Sequence, residues 1–208
     1  MIALDRAGGG SQALWTVTID RTDKANALTR TMLREILTIL KAAEDEQIGG
    51  LILTGEGKIF SAGADLDEAK AGLATDPIWE KVSGQLAAMD CMTIAALNGT
   101  LAGGAFGMAL ACDVRIAVPE AKFFYPVMRL GFAPQPSDPK RMRALIGPSR
   151  TKMLLMAGER IEAATAQEWG LIDGIFETDV LMPTAHRLID PSLVAEPEIR
   201  RKIKRMCQ

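Results

Sequence analysis

TIAALNGTLAGGAFGMALACDVRIAV, residues Thr93–Val118, is the stretch around which the chain is organised. Thr93–Leu97 reads as a strand, Asn98–Gly99 as a turn and Gly103–Gly104 as the entry to an apolar helix running to about Cys112. A second strand follows. A helix that begins at a glycine pair leaves its first N–H groups unpaired and directed outward. With no Cβ at the mouth, another group can approach that backbone closely. Such an entry suits an anion, or an oxygen that becomes one during a reaction. Taken alone, the same residues also describe, more simply, a buried helix packed tightly on the strand before it.

Working outward, Ala13–Asp20 alternates, with Trp15, Val17 and Ile19 on one side, which is the pattern of a half-buried strand. Asp20–Asn26 is a charged turn. Thr29 is placed to cap a helix in which Leu33, Ile36, Leu37 and Leu40 share a face, with Gly49–Gly50 beyond its end. Leu51–Thr54 is a short apolar strand suited to the centre of a sheet. Gly55–Leu66 reads as a glycine-punctuated loop, and Asp76-Pro77 opens a helix running to Asp90.

Downstream of the organising stretch, Lys122–Pro126 reads as a strand and the proline-rich Gly131–Pro139 as irregular. Arg141–Ile146, Arg150–Ala157 and Ala163–Trp169 read as helices and Leu171–Phe176 as a last strand. After that, Pro183, Pro191 and Pro197 leave room only for short helices. Strand–helix alternation of this kind is α/β with largely parallel strands.

At 208 residues with 48% hydrophobic and 24% charged residues, the chain has the composition of a globular protein with a sizeable core. A net charge of −2 offers no general phosphate-neutralising surface, so nucleic acid is not an expected partner. The exception is the basic run Arg200-Arg201-Lys202-Ile203-Lys204-Arg205, a solvated helix end or a contact for a single phosphate. Cys91, Cys112 and Cys207 have neither metal-ligand nor disulfide spacing, and the lone His186 has no ligand-spaced companion. No metal is expected. No apolar run reaches membrane-spanning length and the first residues lack a signal-peptide pattern, so a soluble cytoplasmic protein is expected.

Two pieces combine. GKIFSAGADLDE (Gly57–Glu68) and NGTLAGGAFGMALACD (Asn98–Asp113) together resemble the two signature segments of the crotonase (enoyl-CoA hydratase/isomerase) superfamily, in order and at a fitting separation. RTDKANAL (Arg21–Leu28), FFYPVMRLGFAP (Phe123–Pro134) and MLLMAGERIEAATAQEWGLIDGIF (Met153–Phe176) are similar to three further family segments, so the resemblance runs from Trp15 to Phe176. It implies a spiral of strand–strand–helix turns over residues 1–180 with a short helical tail over 181–208. It also implies a homotrimer or dimer of trimers acting on an acyl-CoA thioester, with coenzyme A entering as part of the substrate and no separate cofactor. The backbone N–H groups of Ala64 and Gly104 would form an oxyanion hole for the thioester oxygen. Ala62, Asp65 and Leu66 would border the adenine, and Lys24 would reach the coenzyme's phosphates or remain a solvated surface lysine.

The resemblance also marks two departures. The hydratases' two catalytic glutamates fall at Gly107 and Val127, and neither residue can move a proton. Asp65, Asp67, Glu68, Tyr125, Arg129 and Asp138 stand near the affected segments. Asp138 draws most interest because some relatives carry a working aspartate near that loop, although it can also simply cap the next helix. Tyr125, on a strand, reads as a core aromatic with a satisfied hydroxyl. The tail is short, so the acyl pocket is more open or is closed by a neighbouring subunit. Two functions remain open: an enzyme that stabilises a thioester enolate without the two-glutamate hydration mechanism, lyase-, isomerase- or decarboxylase-like, or a non-catalytic acyl-CoA-binding relative.

Overall fold

The chain opens with an antiparallel pair, β1 (Ile2–Ala7) and β2 (Leu14–Ile19), in a computed structural model that describes residues 1–207. The alternation read in Ala13–Asp20 becomes β2, with Trp15, Val17 and Ile19 buried. Helix α1 (Arg30–Asp45) starts at Thr29, whose Oγ1 accepts from the Met32 N–H at 3.2 Å, and it buries Leu33, Ile36 and Leu40 on one face. The chain then passes through β3 (Gly50–Gly55), β4 (Ile59–Ser61), α2 (Leu66–Lys70) and α3 (Ile78–Ala88). The segment Gly55–Leu66 therefore holds a short strand where the sequence suggests only loop. Three residues of Ile-Phe-Ser are too few to show a period, and it is pairing with a neighbour that makes them a strand.

The organising stretch gives β5 (Met92–Leu97), β6 (Thr100–Ala102), one 3-10 turn at Gly103–Ala105, α4 (Phe106–Ala111) and β7 (Val114–Ala117). Beyond it lie β8 (Lys122–Phe124), α5 (Val127–Leu130), α6 (Asp138–Lys152), β9 (Arg160–Glu162), α7 (Ala163–Trp169) and β10 (Gly174–Ile175). Two sheets result, one in the order β1-β2-β3-β5-β7-β10 and one in the order β4-β6-β8-β9. Successive turns place one strand in the large sheet and the next in the small one: β3 then β4, β5 then β6, β7 then β8. This is the α/β spiral that the resemblance implies. From β2 to β10 the large sheet is parallel, with Ile52 opposite Ile94 and Ala96 opposite Ile116. Helix α6 is broken at Gly147 (φ 76°, ψ 170°), and a π-helical turn, Met153–Ala157, follows it. The Gly-Leu-Ile-Asp segment has a structural use. Asp173 accepts from the Arg115 N–H at 2.7 Å, while the buried Arg115 guanidinium donates to the carbonyls of Cys112 and Leu171.

The tail corrects the reading of short pieces. Helix α8 (Thr178–Val194) is continuous through Pro183 and Pro191, and α9 (Pro197–Met206) follows. Each interior proline removes a helical hydrogen bond. Leu181, Thr184, Ala185 and Ile189 nevertheless lie on one face and are buried against the large sheet, so packing outweighs the local cost. Helix α8 also runs across position 180, so the tail begins within an element that covers the sheet.

Three residues of the basic run are likewise spent internally. Arg200 is 8% exposed and donates to the carbonyls of Ser11, Ile48 and Ser192. Lys204 holds Asp113 and the Cys91 carbonyl, each at 2.7 Å, and Arg201 pairs with Asp90. Cys91 precedes β5 and Asp113 precedes β7, so Lys204 sits at the start of these two neighbouring strands. Replacing Arg200 by Met leaves three carbonyls without their donor. Equilibrium denaturant unfolding of Arg200→Met is expected to show a loss of about 2–4 kcal/mol.

Candidate active site

Four consecutive amides decide the geometry of the loop after β4. The Ala62 N–H donates to the Ala25 carbonyl at 3.0 Å, Gly63 to Ser61 Oγ at 3.1 Å and Asp65 to the Leu28 carbonyl at 2.9 Å. Among the described residues the Ala64 N–H has no acceptor. The loop is held in place by the charged turn. Leu28 N–H donates to the Gly63 carbonyl at 2.7 Å, and buried Asn26 donates to the carbonyls of Glu56 and Ile59 while accepting from the Arg21 N–H. Gly63 has φ +92°, and a Cβ there would lie 2.9 Å from the Ala102 carbonyl oxygen and 3.3 Å from the Gly104 nitrogen. Only glycine permits this approach. The loop is thereby pressed against the 3-10 turn, in which Gly104 is the second residue and its N–H also lacks an acceptor. Behind Gly104 lies the Trp79 ring, fixed by its Nε1–H donating to the Leu73 carbonyl at 2.8 Å.

Both free amides border one cavity of about 130 Å³, whose walls include Leu66, Trp79, Tyr125 and Phe132. An apolar groove of about 520 Å³ adjoins it, sharing Val127, Phe132 and Ala133. The structure brings Ala62, Ala64, Leu66 and Gly104 to one cavity. Asp65 is used elsewhere. Its Oδ1 caps α2 through the N–H groups of Asp67 and Glu68, and its Oδ2 receives Arg21 at 2.8 Å. The Arg21 bond and the α2 amides hold its carboxyl below the usual range. Glu68 accepts from the Arg30 N–H, Asp67 is exposed, and Arg129 lies exposed against Gly158, bordering neither cavity. Lys24 is exposed on the turn that anchors Ala62. The Cys91 and Cys112 thiols are pushed up to about 11 and about 12 by burial and have no reactive character.

Asp138 departs from the simple capping role. It is fully buried at the first turn of α6, with its Oδ2 accepting from the Tyr125 hydroxyl at 2.9 Å and its Oδ1 without a partner. A Cβ at Gly107 would lie 2.9 Å from that Oδ1, so the carboxylate fills the space that a side chain at Gly107 would enter. Burial pushes the Asp138 carboxyl up to about 7; Tyr125 and Arg141 oppose the rise and Glu80 adds to it. Burial, then the neighbouring Asp138, drives the Tyr125 hydroxyl far above its ordinary range. The Tyr125 ring stacks on Phe106 with centroids 5.3 Å apart and borders the cavity that holds the two free amides. The pairing of Tyr125 with Asp138, thirteen residues apart across a proline-rich loop, has no sequence signal, nor does the backing of Gly104 by Trp79.

The family model described as enoyl-CoA hydratase/isomerase matches residues 9–207. The short-chain-enoyl-CoA hydratase of Clostridium acetobutylicum is 35% identical over 179 residues, covering 83% of this chain and 69% of that protein. The 4-chlorobenzoyl coenzyme A dehalogenase-2 of an Arthrobacter species is 33% identical, over 77% of this chain and 62% of its own length. The crystal structure of an enoyl-CoA hydratase from Bacillus anthracis superposes with a TM-score of 0.88 at 29% identity, covering 98% of this chain and 81% of that one.

The buried carboxyl carries a consequence for stability. With its pKa raised from 3.8 to about 7, Asp138 binds its proton more tightly folded than unfolded. Stability therefore falls as pH rises from about 4 to about 7, where the folded protein must bury a charge. Asp138→Asn, which never carries that charge, is expected to melt several degrees above the unaltered protein at pH 8. That advantage is expected to shrink at pH 5, as read by calorimetry.

Proposed function

Because this chain belongs to the enoyl-CoA hydratase/isomerase family, we propose that it acts on an acyl-CoA thioester by stabilising the enolate of that thioester at the Ala64 and Gly104 amides. The observation that carries this reading is the selective pairing of residues 62–65, which leaves the Ala64 N–H free beside the free N–H of Gly104. Two donors aimed at one oxygen stabilise the negative charge it gains when a bond at the α-carbon is made or broken, and one such donor is commonly worth ~3 kcal/mol. The apolar groove beyond Val127 suits the acyl group. Ala62 and Leu66 edge the cavity where the adenine would lie, and the exposed Lys24 is available to a phosphate.

Gly107 and Val127 offer no carboxylate, so the chemistry is not two-glutamate hydration. Reactions compatible with the site are loss of carbon dioxide from a malonyl-type thioester, which forms the enolate directly, or proton transfer through a displaced acid–base group. One observation favours a second reading, a protein that holds the thioester without transforming it: among the described residues the cavity wall contains no carboxylate, imidazole or amine.

The deciding measurement is solvent deuterium incorporation at the α-carbon of saturated, enoyl- and malonyl-CoA thioesters, with products identified by mass spectrometry. Exchange or turnover is expected. Gly104→Pro deletes one amide donor and is expected to lower it by about 10²–10³-fold with the circular dichroism spectrum retained. Unchanged turnover in that variant sinks the oxyanion assignment, and tight binding without exchange supports the second reading.

Self-association into a trimer or a dimer of trimers belongs to the same proposal. Met128, Leu130, Met153 and Met156 stand exposed near the groove, an apolar surface that a neighbouring subunit would cover. Sedimentation equilibrium is expected to give three or six times the 22.4 kDa chain mass, and a monomer at micromolar concentration overturns this part.

A further inference from the structure

A fully buried carboxylate with one oxygen unpartnered is costly, and such groups persist where they have work to do. Asp138 is such a group. Its Oδ1 faces the bare Cα of Gly107, its Oδ2 holds the Tyr125 hydroxyl, and it is not itself part of the cavity wall. Among the described residues Tyr125, buried at 2% exposure, is the one titratable residue that lines that wall. We infer that Tyr125 exchanges the proton at the thioester's α-carbon and that Asp138, behind it, is the reservoir that takes and returns that proton. The inference rests on the thioester reading and supplies the acid–base group that Gly107 and Val127 lack.

In the deprotonating direction, the Tyr125 oxygen takes the α-proton as its own proton passes to Asp138 Oδ2. The C–H electron pair becomes the enolate double bond, and the carbonyl pair moves onto the oxygen held by the Ala64 and Gly104 amides. In the reverse direction, once the protons held by Tyr125 and Asp138 have exchanged with solvent, the enolate forms a C–H bond (C–D in deuterated water) with the Tyr125 proton and the Asp138 carboxyl restores the hydroxyl. No free tyrosinate is needed, which suits a phenol whose ionisation burial strongly opposes.

The positions of both groups are fixed from several sides. The Tyr125 ring stacks on Phe106, and the loop leading to Asp138 is pinned by Glu80, whose Oε1 accepts from Ser137 N–H and Oγ at 3.0 and 2.9 Å. The charged and titratable groups facing Asp138 are Tyr125 after β8, Glu80 on α3 and Arg141 on its own helix, while α4 presents only Gly107. Their net effect, with burial, places the carboxyl near 7, where it can both accept and give a proton at neutral pH.

The test follows deuterium incorporation into butyryl-CoA as a function of pH, with thioester affinity measured separately by calorimetry. In the unaltered protein the exchange rate is expected to rise through about pH 7 and level off above it. Tyr125→Phe and Asp138→Asn are each expected to lower exchange by about 10²-fold or more and to abolish the pH step, with affinity changed less than threefold. The double variant is expected to be no slower than either single one, because the two groups act as a unit. Exchange within threefold of the unaltered protein in either single variant overturns the proton route. Binding of butyryl-CoA with no exchange by the unaltered protein also overturns the route while leaving the thioester reading intact. Failure to bind any CoA thioester overturns both.

Discussion

The close approach of Gly63 to the Ala102–Gly104 backbone is the contact on which the rest of the site depends. Two segments some forty residues apart, one leaving the small sheet and one entering α4, meet with no side chain between them. The charged turn fixes one partner through Leu28 and Asn26, and the Trp79 ring backs the other. Every amide of residues 62–65 except Ala64's is used in holding that loop, so the free donor results from the fold's own hydrogen bonding. A preorganised pair of amides reorganises little when charge develops, which is why such a site can be effective with no charged side chain in its wall.

Electrostatics at the back of the cavity complements this. The bare Cα of Gly107 leaves a volume, and Asp138 enters it from the start of α6. A larger side chain at position 107 would meet Asp138 Oδ1, so the glycine and the aspartate are one compensated arrangement. Its cost is a buried acid whose charged form is disfavoured, a carboxyl pushed up to about 7 and bonded to the Tyr125 hydroxyl. Val127, at the junction of cavity and groove, contributes only apolar surface there.

The C-terminal region shows where local signals mislead. Three prolines in a short span suggest broken helices and five clustered basic residues suggest an anion contact. Yet α8 runs through two of the prolines, because its apolar face covers the large sheet, and Arg200, Arg201 and Lys204 of α9 are committed to loop and α8 carbonyls, Asp90 and Asp113. The Asp65 side chain, next to the signature loop, is committed to Arg21 and to the first turn of α2.

Local patterns in the sequence determined the parallel α/β class, the cap at Thr29, the helix over Ala163–Trp169 and the two glycine-bearing segments that carry the family resemblance. Each is a short-range property: a hydrophobic period, a capping side chain, or a residue without a Cβ. Only the tertiary structure decided that the Ala64 and Gly104 amides border one cavity, that Ile59–Ser61 is a strand and that α8 survives its prolines. It also decided that Asp138 stands in the space left by Gly107 with Tyr125 between it and the cavity. These depend on which atoms of distant segments come within hydrogen-bond or van der Waals reach, and a one-dimensional pattern does not encode that distance until the chain has packed.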